Sequence, residues 1–80
     1  MPVILRYKAY KLFFYSNEGN PLEALHIHIR KGDTVAKFWI APEVRLASSF
    51  GMSATELNEI AQVVRDNRET IERAWHEFFG

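Results

Sequence analysis

The sequence has 80 residues, of which 48% are hydrophobic, and its ten Lys and Arg residues balance ten acids to a net charge of zero. A chain of this length buries only about 60% of its unfolded surface, so we expect a single domain over residues 1–80. The absence of cysteine excludes disulfides and thiolate metal sites, and a reducing cytoplasm is the simplest compartment. No segment approaches the roughly 20 apolar residues that a membrane span needs, so we expect no membrane partner.

The charge is unevenly divided along the chain. Residues 1–45 carry seven Lys or Arg against four acids, whereas residues 46–80 carry three against six. This asymmetry suits head-to-tail self-association or a charged partner, and its basic excess is well below that of a dedicated DNA-binding protein. Two solvated faces of opposite charge are the simpler explanation.

The first predicted element is a strand over residues 6–15, which are rich in aromatic side chains and interrupted by single lysines. The stretch SNEGNP, residues 16–21, then supplies turn formers, with Gly19 able to take positive φ and Pro21 fixing the exit. We therefore expect one strand followed by a reversal of the chain.

Residues 24–40, with the sequence ALHIHIRKGDTVAKFWI, are predicted to form a β-hairpin whose faces differ in polarity. Its core face comprises Leu25, Ile27, Ile29, Ala36, Phe38 and Ile40. The opposite face is expected to be exposed to solvent and comprises His26, His28, Arg30, Val35, Lys37 and Trp39.

A two-residue loop at Lys31 and Gly32 keeps this parity and places Gly32 where a hairpin turn requires positive φ. A four-residue loop keeps the same parity, whereas a three-residue loop breaks it. The pairs that the two-residue loop predicts are His26 with Lys37, Ile27 with Ala36 and Leu25 with Phe38.

Beyond the hairpin, Pro42 cannot donate to a central ladder, so a strand over residues 44–47 is expected to be short and at an edge. From Ser53 the apolar period becomes helical, and Ser53 with Glu56 forms a capping box. The apolar stripes of this region are Leu57, Ile60, Ala61 and Val64, followed by Ile71, Ala74, Trp75 and Phe78.

One helix over residues 54–79 would be about 39 Å long, whereas an eight-residue strand spans about 27 Å. We expect a break near Asp66 and Asn67, which favour caps over helix interiors, and an unbroken helix stays open as the alternative. The elements predict an α+β fold, in which a small antiparallel sheet of three to four strands has a C-terminal helix, whole or broken in two, packed on one face.

These residues resemble an uncharacterised prokaryotic family, the domain-of-unknown-function family number 4160. The resemblance covers essentially the whole chain and rests on FFYSNE at 13–18, Asn20-Pro21, HIHI at 26–29, Gly32, AKFW at 36–39, Leu46, Gly51, Glu56-Leu57, Trp75 and Phe78-Phe79. The family's Pro-Pro ahead of the first histidine is Ala24-Leu25 here, so a rigid lead-in becomes a strand start able to donate hydrogen bonds. The family brings no established activity. Its members resemble two-gene modules of bacterial chromosomes, which implies a toxin–antitoxin-like role beside a second short protein.

The histidines admit several chemistries. His26 and His28 project from one side of a strand about 7 Å apart, a spacing that suits a metal, but a zinc site needs a third ligand. We expect no metal or other cofactor, because the remaining donors would have to come from loops or the C-terminus: Glu18, Glu23, Asp33 and His76.

A catalytic hypothesis makes His26 or His28 a general base beside Arg30 or Lys37 as anion-stabilising groups, as in a metal-independent ribonuclease. RNA binding would instead use Trp39 and first-strand aromatic residues as stacking platforms, with Arg30, Lys37 and a flanking lysine on phosphates. The interpretation we favour is a protein-interaction surface formed by His26, His28, Val35, Lys37 and Trp39 on a homodimer or with a small partner protein. The sequence thus predicts a cytoplasmic interaction protein rather than an enzyme, and the resemblance implies that it is bacterial.

Overall fold

The computed structural model describes residues 3–16 and 24–80, and these form an α+β fold. Its strands make one antiparallel sheet in which each pairs with its neighbours in the chain. The elements are β1 Val3–Tyr7, β2 Tyr10–Phe13, β3 His26–Lys31, β4 Thr34–Trp39, β5 Arg45–Phe50, α1 Ala54–Asp66 and α2 Arg68–Phe79. The α+β class is confirmed, whereas the expected three to four strands are five. The predicted turn at Gly19 and Pro21 lies outside the described residues.

The extra strand arises because the N-terminal segment is a hairpin and not the single strand expected over residues 6–15. β1 and β2 meet at Lys8 and Ala9, where Lys8 takes a left-handed φ of 52°. No Gly, Pro, Asn or Asp marks this turn in the sequence. Glu59 of α1 holds it, because its Oε2 accepts from Lys8 Nζ at 2.6 Å and from the Tyr7 hydroxyl at 2.7 Å.

The hairpin of β3 and β4 has the expected faces, but its register is two residues away from the predicted one. The loop is Gly32 and Asp33, so that His26 lies opposite Trp39 and not opposite Lys37. Gly32 has a φ of 60° at the first loop position, where a type II′ turn requires positive φ. A shift of two residues keeps every side chain on its face, which is why the predicted core face survives the error.

The last strand, β5, lies at the edge of the sheet as expected but is longer than the predicted residues 44–47. It pairs with β4 through an irregularity next to Lys37 and Phe38. Gly51 ends it with a φ of 84°, and a Cβ there would lie 2.8 Å from Thr34 Cγ2. Only glycine fits that position without displacing Thr34.

The helical region breaks where the sequence predicts. Ser53 and Glu56 form the expected capping box, in which the Glu56 N–H donates to Ser53 Oγ at 3.1 Å and the Ser53 N–H donates to Glu56 Oε1 at 3.0 Å. Asn67 separates α1 from α2, and its side-chain amide donates to the Val63 carbonyl at 2.8 Å. The break lets both apolar stripes stay over a short sheet.

The core lies between the helices and the inner face of the sheet, which carries the apolar residues predicted for it. The prediction that Phe78 belongs to the apolar stripe of the second helix is wrong, because Phe78 is half-exposed. Phe79 packs on Trp75 instead, with ring centroids 4.3 Å apart. The buried core residues are Tyr10, Leu12, Phe14, Ile27, Ile29, Ala36, Phe38, Ile40, Ile60, Ala61, Val63, Val64, Ile71 and Trp75.

Candidate functional site

The candidate site is the outer face, the side of the sheet away from the helices. Strand alternation and the pairing registers arrange its residues in rows that cross the sheet. The first row is Arg6, Lys11, Arg30, Val35 and Phe50; the second is Phe13, His28, Lys37 and Ser48; the third is His26, Trp39 and Arg45. All six residues predicted for an exposed face therefore belong to one side of the sheet.

His28 is half-buried at the centre of this face. Its imidazole stacks on Phe13 at 5.7 Å between ring centroids and meets the edge of Tyr15 at 4.6 Å. Because aromatic rings cover it on two sides, its orientation is set by packing. The residue remains partly exposed on the outer face.

His26 contradicts the expectation that both imidazoles face solvent. It is fully buried, with 0% of its surface exposed, and its ring lies 5.8 Å from Trp39 and 5.2 Å from Trp75 of α2. Its Nδ1 lies 2.7 Å from the Ala24 carbonyl, and since a carbonyl only accepts, Nδ1 is the donor. A base in this position is not accessible to a substrate on the outer face.

The two histidines link the outer face to the core. Their ring centroids lie 5.0 Å apart, closer than the 7 Å expected from strand rise alone. Rings therefore form a continuous chain from Tyr15 through His28 and His26 to Trp75. This packing indicates a structural role for His26, and it makes His28 the histidine of the accessible surface.

Positive charge dominates the outer face. Lys11 lies opposite both Arg6 and Arg30, and all three side chains are exposed. None of the five described strands contains an Asp or a Glu. Lys37 Nζ lies 4.5 Å above the ring of Trp39, a cation–π arrangement in which both side chains are half-buried.

The acids that lie close to the sheet contact its other side. Glu56 accepts from Lys31 at 3.2 Å and Glu59 accepts from Lys8. The backbone N–H of Ser53 and then the ammonium of Lys31 lower the pKa of Glu56 from 4.5 to about 2. The ammonium of Lys8 and then the Tyr7 hydroxyl lower the pKa of Glu59. These carboxylates thus link α1 to the sheet.

A shallow groove of about 340 Å³ crosses β3, β4 and β5 on the outer face. Tyr15, His28 and Phe50 contribute rings to its lining, and Arg30 and Lys37 contribute cations. Phe50 is 71% exposed, the most exposed large hydrophobic residue described. The groove combines planar apolar surface with positive charge.

The far edge of β5 is a second accessible feature. All six of its residues are exposed, and within residues 3–16 and 24–80 it has no strand neighbour other than β4. Leu46 is 45% exposed on the side of the strand that continues the inner face. The edge carries one charge, that of Arg45, and no proline.

Metal ligands do not converge in the described part of the chain, where no group of three His, Cys, Asp or Glu side chains comes together. Glu18 and Glu23 lie outside the described residues. Asp33 lies at the hairpin turn and His76 lies on α2, so neither joins His26 and His28 in such a group.

The structure adds residues that the sequence interpretation left out. A predicted edge strand that ends at residue 47 does not reach Phe50, and a single first strand gives no reason to place Arg6 opposite Lys11. Strict alternation would have assigned Lys11 and Phe13 to one face, but only the pairing with β3 shows that it is the face of His28.

Comparison with known families agrees with the resemblance in the motifs. A family model described as Domain of unknown function (DUF4160) matches residues 9–76. No curated protein and no solved structure matches the chain. Neither helix in the described part of the chain is long and apolar enough to cross a membrane.

Proposed function

The chain belongs to the DUF4160 family, and we propose that it is a protein-interaction component of a two-gene, toxin–antitoxin-like module in the bacterial cytoplasm. Its partner docks as an added strand at the edge of β5, and the outer face flanks the docked strand. The single observation that carries this proposal is the exposure of β5 along its whole length.

An exposed edge strand presents backbone N–H and C=O groups that another chain can pair with, and proteins usually protect such edges with lysine, proline, a β-bulge or a covering loop. β5 has neither lysine nor proline, the described helices leave it uncovered, and its irregularity lies in the pairing with β4. A partner strand would gain main-chain hydrogen bonds from the edge and specificity from side-chain contacts. Leu46 supplies such an apolar contact on one side, and Phe50 supplies it on the other.

Two partners fit this edge: the short protein encoded beside it, or a second copy of the chain. The irregularity in the pairing of β5 with β4 twists the strand locally, which disfavours a long flat pairing between two identical edges. We therefore favour the protein of the neighbouring gene.

The test is co-expression of the full chain with the neighbouring protein, followed by copurification and light scattering. The double variant Leu46→Lys with Ser49→Lys places charge on β5 opposite the inner-face residues Phe38 and Ala36, and it is expected to weaken copurification about tenfold or more. The matched control adds the same charge to the exposed surface of α1 through Asn58→Lys and Gln62→Lys.

Equal copurification by both double variants would refute docking at β5. If the chain alone is a dimer and only the β5 variant is monomeric, the partner is a second copy. Circular dichroism of both variants establishes that the fold is intact.

The burial of His26 weakens the alternative proposal that the protein cleaves RNA. RNA cleavage by paired imidazoles needs an accessible acid and an accessible base, and among residues 3–16 and 24–80 the outer face offers one partly exposed imidazole, that of His28. RNA binding without cleavage has no such requirement.

A further inference from the structure

The first row of the outer face places three cations side by side. Arg6, Lys11 and Arg30 occupy directly opposed positions on β1, β2 and β3. Like charges opposite each other in a sheet destabilise it. Within residues 3–16 and 24–80 no ion pair joins any of the three to a carboxylate, so the described fold bears this repulsion without local compensation. Such an arrangement fits a ligand that supplies several negative charges in a line.

The same row continues into apolar surface. Beyond Arg30 it reaches Val35 and then Phe50, whose ring stands exposed in the groove. Tyr15 lines the groove as well and meets the ring of His28. An exposed planar ring next to a line of cations matches the two needs of a single nucleic-acid strand, which are phosphate neutralisation and base stacking.

Charge alone would admit an acidic protein segment equally well. The planar rings distinguish the two ligands, because bases stack on any aromatic face whereas carboxylate side chains gain little from one. Double-stranded nucleic acid is disfavoured, because its bases are stacked inside the duplex and out of reach of Phe50.

We infer that the outer face binds single-stranded nucleic acid, with phosphates along Arg6, Lys11 and Arg30 and a base on Phe50. Its cations lie on β1, β2 and β3, away from the edge proposed for strand pairing, and Phe50 of β5 is the residue that the two surfaces share. This binding adds a ligand class that needs neither His26 nor a metal.

The test is fluorescence anisotropy of a labelled oligouridylate of about 12 nucleotides, a length within the site size of single-strand binding domains. The full chain is titrated at salt concentrations between about 50 and 200 mM. Replacing Lys11 and Arg30 by Gln is expected to lower the affinity about tenfold and to reduce the slope of log affinity against log salt by about 1.4. The matched control removes the same charge from the helices through Arg65→Gln and Arg73→Gln, and it is expected to keep the slope.

The stacking contribution is tested separately. Phe50→Ala is expected to weaken binding about fivefold while the salt slope stays unchanged, because the ring carries no charge. Phe78→Ala removes a ring that is 46% exposed on α2 and should leave the affinity unchanged.

Three results would overturn the inference: equal losses in the two charge variants, tight binding that Phe50→Ala does not weaken, or displacement of the RNA by polyglutamate as readily as by unlabelled oligouridylate. The last result would assign the face to an acidic protein. The β5 variant Leu46→Lys with Ser49→Lys separates this inference from the proposed function, because it should lose the protein partner and keep the RNA.

Discussion

At the scale of single residues, the two histidines of β3 differ in their surroundings although they lie two positions apart. His28 contacts Phe13 and Tyr15 on the outer face, whereas His26 is enclosed by Trp39 and by Trp75 of α2. A buried imidazole is tolerated because its polar atoms are satisfied, and within the described residues no buried side-chain polar atom lacks a partner. His26 is therefore expected to matter for stability more than for binding.

His26→Ala is predicted to lower the free energy of unfolding by about 2 to 4 kcal/mol, since it opens a cavity beside two tryptophans and removes a hydrogen bond. His28→Ala, at a half-buried position, should cost about 1 kcal/mol or less. Urea denaturation followed by circular dichroism measures both. The exposed His76→Ala serves as the control, and equal costs at His26 and His28 would contradict the burial of His26.

At the scale of elements, side-chain contacts between α1 and the loops of the sheet hold the layers in place. Glu59 fixes the turn between β1 and β2, and Glu56 joins the capping box of α1 to Lys31 at the end of β3. Both carboxylates have pKa values below the ordinary value of 4.5. Because their charged forms are favoured in the folded state, the stabilisation is present above pH 4.5 and is lost as the pH falls toward 2.

We therefore predict that the melting temperature decreases between about pH 5 and pH 2 and that Glu56→Gln flattens this decrease. Glutamine keeps the capping hydrogen bond while it removes the titrating charge. The exposed Glu77→Gln on α2 should keep the wild-type pH dependence. Thermal unfolding at a series of pH values measures this decrease. If the melting temperature of Glu56→Gln falls with pH in parallel with that of wild type, this carboxylate does not link stability to pH.

At the scale of the whole molecule, the charge division of the sequence becomes a division between layers. The strands carry Lys and Arg without any acid, and the two helices carry six acids against three Arg. The outer face is thus positive and the helical layer negative. The binding surfaces that we propose are this positive outer face and the edge of β5.

The cations of β2 and β3 and the edge positions of β5 are predicted to act independently, because effects of sites more than about 7–10 Å apart usually add. Lys11→Gln with Arg30→Gln should leave the affinity for the protein partner within about twofold of wild type. Leu46→Lys with Ser49→Lys should retain oligouridylate binding with a salt slope no smaller than that of wild type, because it adds positive charge and removes none. Titrations of each variant with each ligand measure this, and loss of both ligands in one variant would mean that they share a surface.

The sequence by itself determined the features that depend on local periodicity. Alternation in β3 and β4 identified the core face, and the capping box and the break near Asn67 followed from residue types that cap helices. Family membership was also readable from the motifs along the chain.

Only the tertiary structure decided the register of the hairpin, the presence of β1 and the burial of His26. Parity allows registers that differ by two residues, so alternation cannot choose between them. The turn at Lys8 depends on Glu59, and the environment of His26 depends on Trp75, 49 positions further along the chain. Contacts between residues so far apart depend on how α1 and α2 dock, and the docking is a property of the packed core and not of any local stretch.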